Sequence, residues 1–134
     1  MTMESVEELL PNGFHDAVLR RLVVDYASEL LSIEVDLWVG DMSTERREVY
    51  RLGRVTIHGL EFLVIDNPIH GQAPFVGHLT IDGGSGHPST SAAQLPPLRS
   101  GSFLYWLFVN EWNAFIRFAG RSAALEWIGE EVER

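Results

Sequence analysis

His15 and Asp16 are adjacent, and they are the first residues whose types suggest chemistry. Neighbouring histidine and aspartate serve as ligands in metal-dependent phosphohydrolases, but such centres need further ligands arranged on a helical scaffold. A structural role suits the pair better: Asp16 can accept from backbone donors where the chain enters its first strand, and His15 can bond to a neighbouring loop. Glu34 and Asp36 lie two residues apart. On a strand their side chains share one face about 7 Å apart, within the separation that paired carboxylates use on glycosides. Any half-exposed strand produces the same spacing. Trp38 follows on that face, where an aromatic beside acids suits a protein-contact anchor or a ring covered by a loop.

A second set comprises Asp66, His70, His78, Asp82 and His87. Imidazole and carboxylate together suit several first-row metals if loops bring them together, and this would make a small ligand-binding or metal-dependent hydrolytic domain. None of the histidines has the i, i+4 helical spacing of a zinc-protease pair. Gly83-Gly84-Ser85-Gly86 has the composition of an anion-binding nest. It lacks the Lys-Ser/Thr of a phosphate loop, and no Gly-x-Ser-x-Gly elbow is present. These patterns assign no catalytic residue, no bound metal and no cofactor.

The elements that must position these residues read mainly as strands. Leu31, Ile33, Val35, Leu37 and Val39 alternate with Ser32, Glu34, Asp36 and Trp38, which specifies a strand with one buried face and one wet face. Arg21 to Tyr26 alternates before it, with Leu22, Val24 and Tyr26 on one side. Glu48 to His58 alternates after it, but its apolar phase slips between Leu52 and Val55, as a β-bulge near Gly53 would explain. Leu60 to Ile65 completes an expected four-strand meander. Before these strands, Met3 to Leu10 can form a short helix with Ser5 as N-cap and Glu8 three residues on.

The second half holds a strand at Phe75 to Ile81, then a long Gly/Pro/Ser-rich internal loop from Asp82 to Gly101. Phe103 to Val109 suits a strand covered on both faces. Trp112 to Phe118 alternates, Ser122 to Ile128 is ambiguous between strand and helix, and the tail from Gly129 reads as frayed. The expected fold is one mainly β domain over 1–134, an antiparallel meander forming a two-layer sandwich or a partly closed roll, with at most short helices.

Composition narrows the partners. Nineteen acids against ten basic residues give a net charge of −9, and every basic residue is an arginine. Nucleic-acid binding needs clustered cations against phosphate, so neither nucleic acid nor an anionic membrane surface is expected. The overall charge is more compatible with a basic protein partner, although it also serves solubility. Eleven of the acids fall in the first fifty residues, a concentration that a solvated strand face explains. The chain has no cysteine, which excludes disulfides and thiolate sites. No signal peptide and no apolar run of about 18 residues is visible, so the expected location is cytoplasmic. The aromatic segment Phe103 to Phe118 supplies core, with enough surplus for a homodimer interface.

The segment Gly13-Phe14-His15-Asp16-Ala17, followed by two strands, resembles small bacterial proteins of unassigned function. Similar families lie beside polymorphic toxins and are regarded as immunity proteins. Phe103-Leu104-Tyr105-Trp106-Leu107-Phe108-Val109-Asn110-Glu111-Trp112-Asn113 resembles a block in such proteins. The resemblance implies a β-rich fold and carries no catalytic residues. The functional expectation is a small acidic protein-binding protein, an immunity-type neutraliser of a basic partner.

Overall fold

The computed structural model describes residues 1–67, 77–86 and 95–134. Helix α1 spans Met3–Glu8, and Thr2 rather than Ser5 is its N-cap: the Thr2 hydroxyl accepts from the Ser5 N–H at 3.1 Å. The earlier cap places Met3 and Val6 within the helix, where both are fully buried. A run of turns through Gly13 and Asp16, both at positive φ, then delivers the chain to its first strand.

Nine strands follow among the described residues: β1 Ala17–Asp25, β2 Leu30–Trp38, β3 Val49–His58, β4 Phe62–Ile65, β5 Leu79–Ser85, β6 Phe103–Val109, β7 Ala114–Gly120, β8 Ser122–Trp127 and β9 Val132–Glu133. All pairings are antiparallel, in one sheet of order β4-β7-β6-β5-β1-β2-β3-β8, with β9 on β3. The fold is mainly antiparallel β, with one short helix among the described residues, as the periodicity predicts.

Two meanders, β1-β2-β3 and β5-β6-β7, are joined by the β1–β5 pairing over Ala17–Leu19. β4 departs from the expected four-strand meander. It pairs with β7, not β3. The cause is a bend shared by two chain segments. Gly59 takes a φ of 62° between β3 and β4, and Gly120 ends β7 just before β8. The β3–β8 ladder therefore runs on as the β4–β7 ladder, bridged by Arg121 N–H to His58 O at 2.9 Å and Glu61 N–H to Ala119 O at 2.8 Å. The two ends of the strand order are continuations of the same two segments, so the sheet rolls over a single core.

That core takes residues from α1, β1, β2, β3, β5, β6, β7 and β8. β2 behaves as its alternation demands, with Leu31, Ile33, Val35 and Leu37 at 0–1% exposure. The bulge expected at Gly53 is absent, because β3 keeps an unbroken register with both neighbours. Its inner phase is odd throughout, and Tyr50 and Leu52 lie on the outer face. Gly53 instead permits close packing: a Cβ there would stand 3.0 Å from Leu37 and 3.3 Å from Leu125. The bulge lies in β1, where the register shifts between Leu19 and Arg21. Ala17 and Leu19 point inward before it, and Leu22 and Val24 pack on the core after it.

The long loop expected over 82–101 is also shorter than read. Asp82 to Ser85 belong to β5 and pair with β6, with a register shift between Ile81 and Gly84. Glycine is required at 84, since a Cβ would meet Tyr105 at 2.7 Å and Leu107 at 2.8 Å. The anion nest read at Gly83 to Gly86 is thus largely a strand segment. Phe75 and Val76, placed in a strand by sequence, lie outside the described residues. Ser122 to Trp127 is strand rather than helix. The tail from Gly129 is tied back by β9 and by Arg134 N–H to Glu48 O at 2.7 Å.

Candidate functional site

Sheet register decides which of the predicted residues meet. Ala17 lies opposite Ile81 and Val18 opposite Asp36, so Asp16 falls in one row between Asp82 and Trp38. Trp38 in turn pairs with Tyr50. His15 sits over this row. Its Nε2 is 3.5 Å from Asp16 Oδ2, its Nδ1 is 3.9 Å from Asp82 Oδ1, and its ring centroid is 6.1 Å from that of Trp38. The three polar side chains are about half exposed. Asp16 holds a φ of 57°, a left-handed conformation that aspartate tolerates better than most residues. Trp38 is half-buried, with its indole N–H donated to Arg47 O at 2.5 Å.

Tyr50 closes the far side of the row, with the Arg134 guanidinium 4.4 Å from its ring centre. Burial raises its hydroxyl pKa above the ordinary tyrosine value, and the negative charges of Glu48 and Asp16 add to the rise.

Glu34 and Asp36 share the outer face as predicted, but neither is a free carboxylate. Glu34 lies between Arg21 and Arg54, 3.4 Å from each, and Arg54 reaches on to Glu126 at 3.5 Å. Asp36 accepts from Arg20 Nε at 2.6 Å and from Arg134 at 2.9 Å. These ladders cross four strands and leave both acid side chains only 14% exposed. Charge-compensated on both sides, they hold the sheet's outer face together and have no room to act as a glycosidase pair.

The second predicted set does not assemble among the described residues. Asp66, just beyond β4, accepts from Arg117 at 2.5 Å. Asp82 on β5 belongs to the His15 row, and β7 and β6 lie between β4 and β5. Three strand spacings put the two carboxylates on the order of 14 Å apart. His78 is exposed beside the start of β5, while His70 and His87 lie outside the described residues. No group of three or more His, Asp or Glu able to hold a metal occurs among the described residues.

Sequence reasoning missed a cleft of about 190 Å³ between the β1–β2 turn and the start of β4. Val24, Leu60, Phe62 and Leu63 give it apolar walls, and Asp25, Tyr26, Glu29 and Glu61 complete it. Tyr26 is 88% exposed, although alternation sets it on the same side as Leu22 and Val24, which pack on the core. Glu61 is mostly buried and accepts from the Arg99 N–H at 2.9 Å. The Ser102 hydroxyl and that N–H hold its carboxyl below the ordinary glutamate range.

Seven of the ten arginines, at 20, 21, 46, 54, 99, 117 and 134, are ion-paired with carboxylates of the same chain. Among the described residues, Asp16, Asp25, Glu29 and Asp82 have no arginine beside them within ion-pair distance.

No protein-family model matches the chain, and no curated protein matches its sequence. Among solved structures, an uncharacterized protein from Neisseria gonorrhoeae aligns with a TM-score of 0.45 at 11% identity, covering 84% of this chain and 92% of that one. No helix among the described residues is long and apolar enough to cross a membrane.

Proposed function

We propose that this chain is a non-enzymatic binding domain for a basic protein, of the immunity type that its Gly13 to Ala17 segment resembles. The observation that carries the proposal is the arginine pairing. Internal ion pairs take up most of the positive charge, so the −9 surplus stands as uncompensated surface carboxylates. Such a surface accelerates encounter with a cationic partner. The His15–Trp38 pair, flanked by Asp16 and Asp82, supplies a fixed aromatic patch on which localised affinity can rest. Binding there would occlude a basic surface, without any chemical step.

The test is affinity capture from the native host with mass spectrometry, repeated over a salt series. The expected result is a stoichiometric complex with a basic protein, whose association slows with salt and whose dissociation quickens in Trp38→Ala. Capture that vanishes at moderate salt and is indifferent to Trp38 would overturn the proposal. Circular dichroism of the variant separates loss of contact from loss of fold.

A further inference from the structure

We infer that the cleft between the β1–β2 turn and β4 receives one arginine or lysine side chain of the partner protein. The inference rests on the reading of the chain as a binder of a basic protein, and it names the group recognised. Size comes first. The cleft has a volume of about 190 Å³. That suits one long side chain and falls below the ~300–1,000 Å³ of small-molecule pockets.

The lining has the two-part character of a long basic side chain. Val24, Leu60 and Phe62 offer apolar wall to an aliphatic stem, which such residues bury while their charged head stays in polar surroundings. Among the described residues, Asp25 and Glu29 in the lining have no ion pair to an arginine, and the Asp25 carboxylate accepts only the Ser28 N–H, at 3.2 Å. Tyr26 stands between them in sequence, 88% exposed, where its ring can lie against a guanidinium or ammonium. An apolar ligand would leave both carboxylates without a counter-charge, and an anion would be repelled. A cation on a flexible apolar stem satisfies both parts.

The experiment is a ¹H–¹⁵N NMR titration of the intact chain with N-acetyl-arginine amide, and with the uncharged isostere N-acetyl-citrulline amide. The expected result is saturable millimolar binding of the arginine probe, with shifts centred on 25–29 and 60–63 and at least tenfold weaker binding of citrulline. Glu29→Gln should weaken the arginine probe fivefold or more, and Glu130→Gln, an exposed acid away from the cleft, should leave it unchanged. Equal binding of the two probes, or non-saturating shifts spread over the acidic surface, would overturn the inference. A basic partner bound equally well by the wild type and by Glu29→Gln would overturn it too, while leaving the proposed function standing.

Discussion

The imidazole of His15 lies 6.1 Å from the Trp38 ring, tilted 50° to it, although twenty-two positions separate the two in sequence. β1 makes the meeting, because its register sets Asp16 beside Trp38 on one side and Asp82 on the other. His15 is half exposed and takes no part in the core. Its replacement by alanine should therefore change stability by no more than about 0.5 kcal/mol. On the proposed function, dissociation of a basic partner should nevertheless quicken severalfold, because the ring beside Trp38 is lost. Urea denaturation and surface plasmon resonance on the same variant check the two halves of the prediction.

Asp36 is a junction. It takes Arg20 from β1 and Arg134 from the C-terminal tail, with its own side chain 14% exposed. Exposed pairs contribute about 0–1 kcal/mol, but a mostly covered carboxylate held by two guanidinium groups belongs above that range. Asp36→Asn should cost about 1–2 kcal/mol by chemical denaturation, whereas Glu131→Gln, on the open Arg46 pair, should cost less than about 0.5. A double-mutant cycle with Arg134→Met isolates the part that anchors the tail.

The legible parts of the fold were those in which one face is cleanly apolar. Leu31 to Leu37 alternates without interruption, so strand, register and burial all followed from the pattern. β3 misled because Tyr50 and Leu52 are apolar residues on the outer face, where Arg134 lies over the Tyr50 ring and the Gly129 backbone lies beside Leu52. A binary pattern cannot tell such cover from core. The bulge at Arg20 was hidden for a related reason: the run Ala17 to Val24 reads as apolar in either phase. The His15 row depends on pairing among three strands, and the cleft on the shared bend of β3–β4 and β7–β8. Tertiary relations of that kind leave no local spacing. Tyr26 had no signal beyond its place next to a turn.

Arg117 is 3% exposed, paired with Asp66, with its guanidinium 4.6 Å from the centre of the Phe115 ring. Removal takes away both a buried charge partner and packed stem, so Arg117→Ala should cost about 3 kcal/mol or more. Arg117→Lys should recover only part of that, because an ammonium cannot lie flat against the ring as a guanidinium does. Thermal and urea unfolding of the pair of variants give the comparison directly.

Gly120 sits at the bend on which closure of the roll depends. A Cβ there would stand 2.5 Å from Ile57 Cγ2 and 3.2 Å from His58 O. Gly120→Ala must push β3 from β7, and overpacking of this kind typically costs about 1–3 kcal/mol. Gly101→Ala is the control for steric crowding, since nothing lies within 4 Å of its Cβ position; its φ of 84° leaves only backbone strain. Hydrogen exchange should show the first variant loosening the β3–β8 and β4–β7 ladders, and the second leaving them protected.

Tyr105 makes stability depend on alkaline pH. Its side chain is fully buried, and its hydroxyl has no hydrogen-bond partner among the described residues. Burial raises its pKa well above the ordinary tyrosine value, and the negative charges of Glu7 and Glu4 add to this. Below about pH 10, where tyrosine ionises in an unfolded chain, both states hold the proton and the residue gives no pH dependence. Above it the unfolded chain releases the proton while the folded chain retains it, so stability falls as pH rises. The arginines keep their charge throughout this range, and the chain has no lysine to titrate with them. Tyr105→Phe should therefore flatten the decline between about pH 9.5 and 11, leaving the smaller contribution of Tyr50. At pH 7 the same variant should be as stable as the wild type or up to about 1 kcal/mol more so, because an unpaired buried hydroxyl is costly. Urea midpoints at pH 7, 9.5 and 10.5 test both statements, and parallel alkaline losses in the two proteins would contradict the first.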